Sequence, residues 1–291
     1  MFQGSIVAIV TPMLDDGAVD FDALKKLVKF HVDAGTDAIV SVGTTGESAT
    51  LSMAEHSEVI RKTIEFADGA IPVIAGTGAN STTEALELTE NAKAAGANAC
   101  LLVTPYYNKP TQEGLYQHFK KIAQSVDIPI ILYNVPGRTS VDMTAATTAR
   151  LAAIDNIIGT KEAHGTVERI KEVLSLCPDD FVVMTGDDGT AMESILAGAR
   201  GNISVTANVA PEIMAQMCAA ALAKDDAKAR ELDAKVSDLH KYLFIESSPI
   251  PAKWALQQMG MIGAGIRLPL TPLDEQYYGD VTGAMKKAGI A

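Results

Sequence analysis

Lys161 ends an apolar run, Asn156-Ile157-Ile158-Gly159-Thr160-Lys161, and is followed by Glu162-Ala163-His164. As a strand, this stretch puts Ile157, Gly159 and Lys161 on one face and Ile158, Thr160 and Glu162 on the other. An amine placed this way suits imine formation with a ketone, because only a neutral lysine is nucleophilic. At the ordinary lysine pKa about one in 2,500 is neutral at pH 7, a handicap of about 4.6 kcal/mol that burial reduces. Glu162, on the opposite face, does not pair with the amine. Imine chemistry also needs a proton shuttle, and Tyr133, Thr44 and Tyr107 can supply a chain of hydroxyls. Backbone N–H groups of Gly43-Thr44-Thr45 can bind a small carboxylate, and Arg138 can grip a second one in bidentate fashion.

These residues need elements that bring them together. Eight short β-rich runs recur: Ser5–Val10, Ala38–Val42, Pro72–Ala75, Ala99–Val103, Pro129–Tyr133, Ile157–Lys161, Phe181–Met184 and Asn202–Val205. Amphipathic helical patterns lie between them. Asp22–Ala34 aligns Leu24, Leu27, Val28 and His31, and Met53–Phe66 aligns Val59, Ile60 and Ile64. Ser52 with Glu55, and Ser81 with Glu84, read as helix caps. Eight β–α units predict an α/β fold, a closed (β/α)8 TIM barrel over residues 1–224. A doubly wound open sheet would carry a glycine-rich fingerprint after the first strand, where Thr11-Pro12-Met13 stands instead. From about residue 225 the sequence is helical only, with a stripe of Ala229, Leu232, Val236, Leu239 and Leu243. Residues 225–291 are expected to form a small helical C-terminal domain packed on the barrel.

Catalytic groups of such barrels sit where strands end. The unusual residues fall there: Gly43–Glu47, Thr104–Pro110 with Tyr106 and Tyr107, Tyr133–Thr139, Lys161, and Gly186-Asp187-Asp188.

Gly43–Glu47, Tyr133–Thr139 and Gly159-Thr160-Lys161-Glu162-Ala163, in this order, closely resemble the dihydrodipicolinate synthase family of class I pyruvate-dependent aldolases, and the likeness runs essentially from residue 1 to 291. The resemblance implies that Lys161 forms a Schiff base with pyruvate, whose enamine attacks aspartate 4-semialdehyde at the entry to the diaminopimelate route to lysine. It implies that Tyr133, Thr44 and Tyr107 are the proton relay, with Tyr107 entering from a neighbouring subunit of a homotetramer. Thr45 and Ile203, together with Gly186, match substrate-binding positions, and Arg138 matches the residue that receives the semialdehyde carboxylate. Sugar-acid lyases of the N-acetylneuraminate type are the alternative, but generally lack an arginine in the Tyr-Asn-x-Pro segment. Ser48, Ala49, His56, Asn80, Glu84 and Tyr106 match a lysine feedback site. Met53 stands where inhibited relatives often carry histidine, which implies weaker inhibition. Thr160 and His164 also depart from the family pattern, at positions usually aliphatic and Ser or Thr.

Composition narrows the other classes. The net charge is −12 over 291 residues, with 24 Lys and Arg and no basic run, so nucleic acid and anionic membranes are not expected partners. Cys100, Cys177 and Cys218 form neither a CxxC pair nor an even disulfide set, which favours a reducing, cytoplasmic setting. The first ten residues lack a basic leader region, and no segment has the run of about 20 apolar residues that spans a bilayer. The five histidines make no HxH or HxxxH pair, so neither a metal nor another cofactor is expected. A degenerate, ligand-binding barrel would have lost the lysine or the tyrosine, and both are present.

Overall fold

Eight parallel strands close in sequence order in the computed structural model, which describes residues 2–290. They are β1 (Gly4–Ala8), β2 (Ala38–Ser41), β3 (Val73–Gly76), β4 (Ala99–Val103), β5 (Ile130–Asn134), β6 (Ile157–Glu162), β7 (Val182–Thr185) and β8 (Gly201–Ser204). β8 pairs back onto β1 with Ile203 opposite Ile6, which closes the ring. Each expected strand is present, with ends displaced by at most two residues. β1 stops early because the Val10 N–H leaves the ladder to donate to the Asn208 side chain at 3.0 Å.

Both faces of these strands are buried, so they carry apolar residues throughout and not in alternation. Ile6, Val40, Ile74, Leu101, Ile131 and Met184 fill the barrel interior. Leu27, Val59, Phe119, Ile122, Val183 and their neighbours form the outer layer under the helices. Residue 157 departs from expectation. Ile130 pairs with Ile157 but Ile131 pairs with Gly159, so Ile158 is an extra residue in β6. This irregularity sends Ile157 to the outer layer and Ile158 to the inner one, reversing the simple alternation before Lys161. A Cβ at Gly159 would lie 2.4 Å from the Val182 carbonyl oxygen, so the irregularity needs glycine there.

The helix Phe21–Asp33 buries Leu24, Leu27, Val28 and His31, and Met53–Ala67 opens with the Ser52/Glu55 capping box. After the barrel, Asp226–Tyr242 buries its whole apolar stripe and packs between Pro211–Leu222 and Tyr278–Lys287. Ile250–Gln258 follows, with Trp254 stacked on Tyr278 at 4.6 Å between ring centroids. Among the described residues no helix is long and apolar enough to cross a membrane.

Candidate active site

Adjacent strands put the lysine and the phenol side by side. β5 and β6 pair Tyr133 with Lys161, and Asn134 with Glu162. Lys161 Nζ lies 4.3 Å from the centroid of the Tyr133 ring. Both side chains are buried, at 5% and 7% exposure. They line a cavity of about 180 Å³, together with Thr44, Thr45, Arg138 and Gly186. Gly186 is required where β7 ends. A Cβ there would fall 2.5 Å from Lys161 Cε and 2.9 Å from the Ala163 Cβ, so the lysine stem occupies the space a side chain would fill.

The loop after β2 folds back sharply to aim Thr44 and Thr45 into this cavity. Val42 adopts φ +56°, a left-handed conformation that a β-branched residue rarely takes. Gly46 and Gly76 permit it, since their Cβ atoms would stand 2.9 Å from Val42 Cα and 2.3 Å from its carbonyl oxygen. Within the turn, the Gly46 N–H donates to the Gly43 carbonyl and the Glu47 N–H to the Thr44 carbonyl. Among the described residues the Thr44 and Thr45 N–H groups have no backbone acceptor. Arg138 rises from the helical turn Pro136–Thr139 after β5 and donates to the Ser248 carbonyl at 3.4 Å.

A polar network stands behind the strand ends. Asn134 Nδ2 donates to Glu162 Oε1 at 3.0 Å and to Asp142 Oδ1 at 2.8 Å. Arg169 grips Asp142 in bidentate fashion at 2.9 and 2.7 Å, and reaches Glu162 only at 3.8 Å. Glu162 also accepts the His164 N–H at 2.9 Å, on the side away from the amine. Burial pushes the Glu162 carboxyl up to about 7, and Asn134 and Arg169 offset this only in part. Because the folded value lies above the ordinary 4.5, the contribution of Glu162 to stability is full below pH 4.5 and is lost as pH rises through 7. That loss is at most about 3 kcal/mol. Glu162→Gln, which cannot ionise, is therefore expected to gain stability relative to the parent between pH 5 and pH 8. Urea unfolding at both values measures it, and a difference that does not change with pH contradicts it.

Not every expected residue joins the site. Tyr107 is 89% exposed at φ +72° and lines neither this cavity nor its neighbour. A single chain thus unites Lys161, Tyr133 and Thr44 without Tyr107. Ile203 is 1% exposed in the barrel interior, and Val205 is the wall that the end of β8 supplies. The family resemblance singled out Ile203, whereas Val205, expected as the last residue of the eighth strand, lies one residue past its observed end and was given no role in the site. Phe244 and Ser248 also line the cavity, from the helical region, where sequence pattern marked only an apolar stripe and a break. Asn134, Asp142 and Arg169 were likewise not anticipated.

The six residues of the expected lysine site divide. Ser48, Ala49 and Tyr106 line a neighbouring cavity of about 340 Å³ that shares Thr44 and Arg138 with the first. Partial burial, and with it the Glu84 charge, raises the Tyr106 hydroxyl above its ordinary value. The Asn80 carbonyl accepts from Asn108 Nδ2 at 2.8 Å, two residues beyond Tyr106. His56 lies apart, 5% exposed. Its burial, partly offset by a hydrogen bond with the Gly76 backbone, lowers the imidazole to about 4, neutral at pH 7.

The family model described as "Dihydrodipicolinate synthetase family" matches residues 1–288. The 4-hydroxy-tetrahydrodipicolinate synthase of Stutzerimonas stutzeri is 61% identical over 290 residues, covering 100% of this chain and 99% of the relative. The chloride-inhibited dihydrodipicolinate synthase of Acinetobacter baumannii, solved with pyruvate, superposes with a TM-score of 0.99 at 59% identity and full coverage of both chains. The enzyme of Cyanidioschyzon merolae, solved with lysine bound, gives a TM-score of 0.96 at 37% identity, covering 100% of this chain and 99% of that one.

Proposed function

The chain belongs to the dihydrodipicolinate synthetase family, and we propose that Lys161 is the amine on which it holds pyruvate. The reaction is the condensation of pyruvate with aspartate 4-semialdehyde to 4-hydroxy-tetrahydrodipicolinate, the committed entry to lysine biosynthesis by the diaminopimelate pathway. Lys161 Nζ attacks the pyruvate C2 carbonyl, and the oxygen departs as water to leave an imine. Tyr133, against whose ring the amine lies at 4.3 Å, carries the protons of this step with Thr44. Loss of a C3 proton gives the enamine, and C3 attacks the aldehyde carbon. The semialdehyde's amino group then attacks the imine carbon, closes the ring and expels Lys161 as the free amine. Thr45 and the backbone of its loop hold the pyruvate carboxylate. The observation that carries this reading is the buried contact between Lys161 and Tyr133, in a cavity that also admits Thr44 and Arg138.

Arg138 receives the semialdehyde carboxylate. Losing one charged hydrogen-bond partner of this kind costs about 2 kcal/mol, so Arg138→Leu is expected to lower kcat/KM for the aldehyde about 30-fold while borohydride trapping of pyruvate is unchanged. Equal aldehyde kinetics in variant and parent would remove Arg138 from this role. The exposed Tyr107 completes the relay of a second copy within a homotetramer. The three unpaired cysteines support a cytoplasmic location.

Lysine binds the neighbouring cavity, its amine toward Glu84 and its carboxylate toward Tyr106 and Asn80. Lysine titrated into the condensation assay is expected to lower the rate at millimolar concentration. A flat response to that concentration would refute the site.

A further inference from the structure

We propose that Glu47 and Lys253 form a buried latch through which the helical region fixes the Val42–Glu47 loop in its pyruvate-binding shape, making both of them positioning residues for Thr44 and Thr45. The proposal rests on the reading of Lys161 as the imine lysine. Lys253 Nζ meets Glu47 Oε2 at 2.5 Å, with side-chain exposures of 5% and 0%. The partners are 206 residues apart, one at the end of the β2 loop and the other on Ile250–Gln258.

Three features give the pair a positional task. First, the loop is held at both ends in left-handed backbone, Val42 at φ +56° and Glu47 at φ +57°. Such conformations persist only where the surroundings impose them. Second, Glu47 anchors the loop's end by both carboxylate oxygens, since Oε1 accepts the Arg267 N–H at 3.3 Å while Oε2 takes Lys253. Arg267 in turn donates to the Gly17 and Thr50 carbonyls, both at 2.8 Å, and pairs with Glu55, so the helical region also holds the segment that follows the loop. Third, a buried ion pair gains little net stability over apolar packing of similar volume. Its directional bonds specify one geometry, and here that geometry lies two and three residues from Thr45 and Thr44.

Four variants test the latch: Lys253→Met, Glu47→Gln, both together, and Lys253→Arg. Each is assayed for thermal unfolding and for the pyruvate concentration that half-saturates borohydride trapping at Lys161. Single substitutions leave a buried charge unpaired and are expected to lower Tm; the double variant removes both charges and recovers Tm toward the parent. Half-saturating pyruvate is expected to rise roughly tenfold in the double variant despite its recovered Tm, and to return toward the parent in Lys253→Arg, in line with the coupling of residues in contact. A folded double variant with parental half-saturation overturns the latch, as does a rise that merely tracks Tm. Absence of trapping in the parent itself would instead overturn the reading of Lys161.

Discussion

Lys161→Ala is expected to fold and to lose pyruvate condensation by at least about 10⁴-fold, because no other group can form the covalent intermediate. Among the described residues the cavity is lined by no second lysine, and the buried amine of Lys253 is committed to Glu47. The variant vacates space already continuous with the pocket and buries no new polar group, so a Tm within a few degrees of the parent is expected. Steady-state rates with aspartate 4-semialdehyde, on protein shown to be folded, measure the effect. A variant retaining a tenth of the parental rate would contradict the assignment.

Gly186→Ala carries the second large effect, and its loss of rate is expected to exceed its loss of stability. The added Cβ would stand 2.5 Å from Lys161 Cε and 3.0 Å from Cγ. The lysine stem must move aside, which displaces the amine from Tyr133, and the Ala163 Cβ at 2.9 Å must also give way, which costs some stability. A misplacement of about 1 Å at a reacting centre costs about 100-fold or more. The expected result is therefore a rate per folded molecule lowered by 10²- to 10³-fold (about 3 to 4 kcal/mol of barrier), with a Tm lowered by only a few degrees. Loss of stability with normal activity per folded molecule would show that the contact belongs to packing alone.

The barrel was legible because each strand is a compact apolar run bounded by helical periodicity, and strand order follows chain order. The irregularity at Ile158 was not. It is a pairing property, set by how β5 meets β6, and no single-strand pattern encodes it. Site residues at strand ends, such as Lys161, Tyr133 and Arg138, stood out because charged or hydroxyl groups there break an apolar pattern. Asn134 and Arg169 did not stand out, since their meaning comes from a shared contact with Glu162 and Asp142 across separate elements. The Glu47–Lys253 pair is the extreme case. A glutamate in a turn and a lysine on a helix look like solvated residues until the fold buries them together.

The account depends most on the amine that reacts, and reductive trapping addresses it directly. Protein incubated with pyruvate and borohydride, then digested and mapped by mass spectrometry, is predicted to carry one reduced pyruvyl adduct per chain, on the peptide containing Lys161. An adduct on another lysine, or none under conditions in which the enzyme turns over, would contradict it.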